Sequence, residues 1–196
     1  MEEKGLNDIK VGFAMTGSFC CISSIMPRMS ELVSIGVDVT PIFSETLAST
    51  DTRFGKASYF IEKVQSICKK PVIKDIPNAE PIGSRKMFDA LIIAPCTGNT
   101  IAKIANGITD TAVTMAAKAH LRNKRPLIIS ISTNDALGMN ARNIAALMIT
   151  KHIFIVPFSQ DDHVNKENSI ISDAELILPT LFKALYENNQ LQPVLN

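Results

Sequence analysis

Three short polar runs are built to do anion chemistry: Thr16-Gly17-Ser18, Ser44-Glu45-Thr46 and Thr97-Gly98-Asn99-Thr100. They offer a grip on phosphate through hydroxyls and through the first N–H groups of a following helix, which have no intrahelical partners. Gly17 lets backbone approach the anion closely. Gly12 and Gly17 are spaced as in a Walker A loop, but Ser18 stands where that motif requires lysine, which disfavours a nucleoside triphosphate. The dinucleotide fingerprint G-x-G-x-x-G is absent. A competing reading stays open: Thr97 and Asn99 only cap a helix in an ordinary βα turn, and Ser44 only caps a turn.

To act together, these runs must sit at neighbouring strand tips, and the hydrophobic pattern places them there. Ile9 to Met15 reads as a strand, followed by a helix with Ile22, Ile25, Met26, Met29, Leu32 and Val33 inward and Gly36 as its stop. Val37 to Phe43 is the second strand. Residues 51–55 read as a loop, 58–68 as a helix, 71–76 as a short edge strand among prolines, and 78–86 as a polar connection. Leu91 to Ala94 is apolar without alternation, which suits a parallel strand covered on both faces, and Pro95 is expected to end it. A helix from about Asn99 stops at Asn106-Gly107, and Thr109-Asp110 is expected to cap the next, over 111–121.

The remainder reads as a strand at 127–131, a helix reaching Thr150, a last strand within 151–158, a polar loop at 159–169 and a C-terminal helix capped by Asp173. The expected fold is α/β: a Rossmann-like three-layer sandwich around a mostly parallel sheet of about six strands, in one domain spanning 1–196. Ligands in such folds bind outside the carboxyl ends of the strands.

Composition narrows the partners. Lys plus Arg number 20 against 19 Asp plus Glu, so no long-range field gathers nucleic acid or a membrane surface. No window approaches the about 18 apolar residues of a spanning helix, and the start MEEKGLNDIK is unlike a secretion signal, so a cytoplasmic location is expected. Cys20, Cys21, Cys68 and Cys96 form no CxxC and are expected as reduced thiols; Cys20 and Cys21, at a helix start, read as small core residues before reactive ones. Asp161, Asp162 and His163 are adjacent and cannot all point at one ion, so no metal site is expected. The basic turn Arg122 to Arg125 reads as a solvated helix end.

The run from Ala94 to Asp110, A-P-x-T-x-N-T-I-A-K-I-A-x-G-I-x-D, resembles the signature of the flavoprotein family typified by flavin-dependent cysteine decarboxylases. The resemblance implies FMN, a single phosphate on a polar chain. It assigns Thr16, Gly17, Ser18, Ser44, Thr97, Gly98, Asn99 and Thr100 to the phosphate and ribityl chain. The family's P-x-M-N-x-x-M-x-x-N segment lies over 131–140. There Asn134 and Asn140 match its asparagines, and Thr133 and Leu137 replace methionines, which puts Thr133 and Asn134 at the flavin ring edge.

Two family chemistries lose their key groups. No His lies between Thr46 and Lys63 and no Cys between 153 and 172, as the cysteine decarboxylases require, and ISTNDALGMN stands where the prenyl-flavin synthases carry R-E-T-P-L. The fuller pattern, with TGSFCCI, FSETLASTDTRFG, STNDALGMNARNI and VPFSQDD, is similar to family members that serve as the B subunit of a heteromeric bacterial synthase.

That resemblance implies a dehydrogenase-like A subunit carrying NAD(P), a hydropyridine dicarboxylate from the lysine pathway as substrate, a product made for spores, and a homo-oligomer. Arg53 and Asn134 are the expected substrate contacts, Arg53 as a bidentate carboxylate clamp with Arg142 as the second candidate. No convincing general base is visible, since Glu45 and Asp135 also read as caps. The other readings kept open are an FMN-dependent decarboxylase of unfamiliar substrate and a scaffold that only supports the A subunit.

Overall fold

The computed structural model describes residues 8–195, so the reading of residues 1–7 as an acidic start unlike a secretion signal lies outside the described residues. The elements run β1 (Lys10–Met15), a 3-10 turn (Phe19–Cys21), α1 (Ile22–Ser34), β2 (Asp38–Phe43), α2 (Glu45–Ser49), α3 (Ala57–Cys68), α4 (Ile76–Ala79), α5 (Pro81–Ser84), β3 (Ala90–Cys96), α6 (Gly98–Ala105) and α7 (Ala112–Leu121). They continue with β4 (Leu127–Thr133), α8 (Ala141–Met148), β5 (Ile153–Ile155), β6 (Phe158–Asp162), β7 (Lys166–Ser172), a 3-10 turn (Ala174–Leu176) and α9 (Ile177–Phe182), extended by one π-helical turn.

Seven strands form one sheet, one more than the sequence suggests, in the order β2-β1-β3-β4-β7-β6, with β5 also pairing β4. The pairs β1–β2, β1–β3, β3–β4 and β4–β5 are parallel. The β4–β7 and β6–β7 pairs are antiparallel. Successive side chains point to opposite faces, and both faces are covered. Val11, Phe13, Met15, Ile92 and Ala94 pack in one apolar layer with α1, α3 and α9, while Ala14, Leu91, Ile93, Ile129 and Ile131 pack in the other with α5, α7 and α8. This is why β3 carries no polar alternation. Full burial of each of the larger side chains among them, Val, Ile, Leu, Phe or Met, stabilises the fold by about 1.5–3 kcal/mol.

Several expectations need correction. Pro95 does not end β3: the strand continues to Cys96 through a register shift after Ile93, with a cis Ala94–Pro95 bond. The Pro95 carbonyl stays in use, accepting from Thr16 N at 3.2 Å. The edge strand expected at 71–76 is a single bridge between Ile42 and Ile73. The polar connection after it holds two one-turn helices, α4 and α5, the first capped by Asp75. Thr111, not Thr109-Asp110, caps α7, through a reciprocal pairing with Thr114.

The segment read as a polar loop at 159–169 is most of the β6–β7 hairpin. The basic turn does more than meet solvent, because Arg125 donates to the carbonyls of Phe88 and Lys86 and Asn123 Nδ2 to the Gly83 carbonyl at 2.8 Å. No helix among the described residues is long and apolar enough to cross a membrane.

Candidate functional site

The carboxyl ends of β1, β3 and β4 converge. Thr16 closes β1 onto β3: its hydroxyl donates to the Pro95 carbonyl at 2.7 Å and accepts from Thr97 N at 3.0 Å. Ser18 Oγ and Ser132 Oγ share a hydrogen bond of 2.7 Å, and Ser132 Oγ lies 3.0 Å from Cys21 Sγ. Above these tips opens a cavity of about 1000 Å³, at the top of the roughly 300–1,000 Å³ range of small-molecule sites.

Of the residues singled out in the sequence, Gly17, Ser18, Arg53, Thr97, Gly98, Asn99, Thr133 and Asn134 line this cavity. Three of the expected cofactor contacts do not. Thr16 is fully buried and spent on its two bonds, Ser44 caps α2 by accepting from Leu47 N at 3.3 Å, and Thr100 shares a 3.1 Å bond with the Thr97 hydroxyl beneath the wall. Ser44 and Thr97 are therefore helix caps, and Thr97 also faces the cavity. Arg142 and Glu45 are exposed on α8 and α2, away from the lining. Arg53 stands in the loop after α2, with its guanidinium carbon 4.9 Å from the centre of the Phe54 ring.

A polar chain leads from the cavity into the protein. Thr133 Oγ1 donates to Asp135 Oδ1 at 2.5 Å, and Asn140 Nδ2 donates to Asp135 Oδ2 at 2.7 Å. Asn143 donates to Asn140 at 2.8 Å, and Asn106, at the end of α6, donates to Asn143 at 3.3 Å. Asp135 thus spends both oxygens on orienting neighbours. Gly98 is pressed against this cluster: a Cβ there would fall 2.5 Å from Thr133 Oγ1, 2.6 Å from Asn140 Nδ2 and 2.7 Å from Asp135 Oδ1.

The hairpin adds a wall that the sequence does not announce, made by Asp161, Lys166, Ser169, Ile170 and Ile171, with Ser132 beside it. β7 joins β4 at Ser132↔Ile171 and Thr133↔Ile170. Lys166 Nζ donates to Asp161 Oδ2 at 2.7 Å, and Ser169 Oγ donates to the same oxygen at 3.3 Å. The hydrogen bond to Asp161 raises the pKa of Lys166 above the ordinary lysine value, so it stays cationic at neutral pH. Asp162 holds the hairpin turn by accepting from Val164 N and Asn165 N at 3.1 and 3.0 Å, and these N–H groups lower its pKa, Asn165 foremost.

Cys20 and Cys21 also line the cavity, with sulfurs 3.6 Å apart. Burial raises the pKa of Cys21 against the opposing hydrogen bonds from Ser132 and Ser18, so it stands as a thiol and not as an activated nucleophile. Among the described residues no group of three or more His, Cys, Asp or Glu is placed to hold a metal.

Known proteins resemble this chain in sequence and in fold. The model of the family described as Flavoprotein matches residues 1–173. The B subunit of dipicolinate synthase from Bacillus subtilis (strain 168) is 44% identical over 186 residues, covering 95% of this chain and 92% of that protein. The crystal structure of the B subunit of dipicolinate synthase from Bacillus halodurans C superposes with a TM-score of 0.89 at 42% identity, over 98% of this chain and 99% of the other. The FMN-dependent cysteine decarboxylase SpaF shares the fold, with a TM-score of 0.67 at 18% identity over 91% of this chain and 98% of that one. With the family's model running through the three strand tips that meet here, this chain belongs to the flavoprotein family.

Proposed function

We propose that the chain is the B-type subunit of a dipicolinate synthase, a single-domain, FMN-binding subunit of oxidoreductase type. It acts in the cytoplasm as a homo-oligomer with a dehydrogenase-like A subunit that carries NAD(P). Together they form dipicolinate from a lysine-pathway dihydro- or tetrahydrodipicolinate during sporulation. The observation that carries this reading is the 44% identity to the B subunit of a dipicolinate synthase, sustained over 95% of the chain.

The cavity suits FMN. Its floor joins Ser18, Thr97 and the first turn of α6, where Gly98 and Asn99 bring helix N–H groups without intrahelical acceptors, a setting that favours a phosphate without a lysine. In this reading Thr16, Ser44 and Thr100 act one step behind, fixing the loops that carry Gly17, Ser18, Thr97, Gly98 and Asn99. Thr133 and Asn134 border the ring. Bound FMN supplies a two-electron acceptor for oxidation of the hydropyridine ring. Arg53 holds a substrate carboxylate, Asn134 orients the ring, and Asp135 keeps Thr133 and Asn140 aimed.

The test is reconstitution. Purified chain should bind FMN with a change in flavin fluorescence, and A plus B should make dipicolinate where either alone does so poorly. An apo chain that refuses flavin yet restores full activity to A overturns the flavin role. The second reading, a scaffold supporting A, is favoured by one observation: the hydroxyls of Thr16, Ser44 and Thr100 are each already engaged in a bond within the protein. Carbon dioxide release from candidate thiols would point instead to an FMN-dependent decarboxylase.

A further inference from the structure

Arg53 and Lys166 are the cationic side chains among the described residues that line the cavity. Neither lies in the three tip runs, where a phosphate would be held by hydroxyls and helix N–H groups alone. Of the two lining carboxylates, Asp135 accepts on each oxygen, from Thr133 and Asn140, while Asp161 serves to hold Lys166. An ammonium has three donors, and one goes to Asp161, which leaves two for an incoming acceptor.

The mounting of Lys166 is rigid for a surface lysine. It opens β7, the turn before it is pinned by Asp162, and the strand is fastened to β4 beside Thr133. Behind it Ser169 is 5% exposed, with its hydroxyl on Asp161. Ile171, partly exposed, supplies apolar surface on the same wall, while Ile170 turns into the core and anchors the strand, a combination that suits a flat ring bearing carboxylates.

We propose that the hairpin wall is a carboxylate-binding subsite, in which Lys166, steered by Asp161, takes one carboxylate of a planar ring dicarboxylate while Arg53 takes the other. This rests on the reading of the chain as a dipicolinate-forming subunit. Asp161 and Ser169 are positioning residues in it, acting through Lys166. The cavity thereby divides into a tip cradle for the flavin phosphate and a hairpin clamp for the substrate, and the two should respond separately to substitution.

The experiment is calorimetric titration of the full-length, FMN-loaded chain with pyridine-2,6-dicarboxylate and pyridine-2-carboxylate, alongside FMN titration of the apo chain, for wild type, Lys166→Ala and Lys166→Arg. Thermal melting checks that each variant is folded. Lys166→Ala should weaken the dicarboxylate by about tenfold or more, the worth of one charged hydrogen bond at a half-exposed site, and should narrow its advantage over the monocarboxylate. Lys166→Arg should retain most of the affinity, and FMN affinity should stay the same in both.

Undiminished dicarboxylate binding by Lys166→Ala overturns the clamp. So does a loss that falls on FMN instead, or a wild type that ignores the dicarboxylate. If the wild type fails to take up FMN while dicarboxylate binding by the apo chain still depends on Lys166, the flavin reading fails and the clamp stands.

Discussion

Ser18 Oγ lies 2.7 Å from Ser132 Oγ, although the two serines are 114 residues apart and their strands, β1 and β4, are not neighbours. β3 runs between them, so the bond passes over the tip of the intervening strand and ties the loops around the cavity into one unit. A carboxylate at position 18 would break this tie and place a negative charge where the flavin phosphate is proposed to sit. Ser18→Asp should lower FMN affinity by at least about tenfold, since juxtaposed like charges cost several kcal/mol. Fluorescence titration reads it, and an unchanged affinity would remove the phosphate from this tip.

Gly98 tests the opposite wall. The Cβ of Gly98→Ala would meet three polar atoms at 2.5–2.7 Å, none of which can retreat without giving up a bond to Asp135 or its neighbours. We expect a loss of about 1–3 kcal/mol of stability from this overpacking. A chemical denaturation midpoint equal to that of wild type would mean that the Thr133–Asp135–Asn140 cluster yields freely.

His120 provides a pH signature remote from the cavity. Its ring is buried with Nε2 3.0 Å from the Pro126 carbonyl, and burial lowers its pKa from 6.5 to about 4. The folded chain therefore holds His120 neutral over a range in which the unfolded chain protonates it. Stability from this group is complete above about pH 6.5 and declines as the pH falls toward 4, by up to about 3 kcal/mol. Denaturation midpoints at pH 7 and 4.5 should show a smaller difference in His120→Gln than in wild type, and equal differences would clear His120 of the effect.

The thiols should separate by accessibility. Cys20 is exposed at the cavity, Cys68 is buried with its pKa pushed up to about 11, and Cys96 is fully buried, with its pKa driven up by desolvation. Because the thiolate is the reactive form, an aromatic disulfide reagent at neutral pH should label one cysteine per chain quickly, and Cys20→Ser should abolish that phase. Bound FMN should slow it, as Cys20 lines the same space. Fast labelling left intact in Cys20→Ser would assign it to another thiol.

The parallel half of the sheet was legible because its signal is simple: continuous apolar runs that end in small hydroxyl residues, as at Met15-Thr16 and Cys96-Thr97. The floor of the cavity was legible for the same reason, down to Ser18, Gly98 and Asn99. Ser132 was hidden by its position one residue past an expected strand end, since the physical end of β4 depends on β7 lying alongside. The hairpin carries the sequences FSQDD and KENSIIS, polar because one side faces the cavity and solvent, and polarity of that kind reads as loop. Pro95 misled for a related reason. Proline lacks the N–H for a ladder bond, yet its carbonyl accepts from both Thr16 N and Thr16 Oγ1, a tertiary pairing that local pattern does not encode.

β4 changes neighbour partway along one edge, to β5 at Leu127–Ile129 and to β7 at Ser132–Thr133. The hairpin is consequently joined to β4 through two residue pairs, while Phe158 and Ile170 anchor it in the apolar layer beneath. Its outward charges, Asp161 and Lys166 among them, stand apart from that layer, so the rim of the cavity can be recharged by substitution without disturbing the interior.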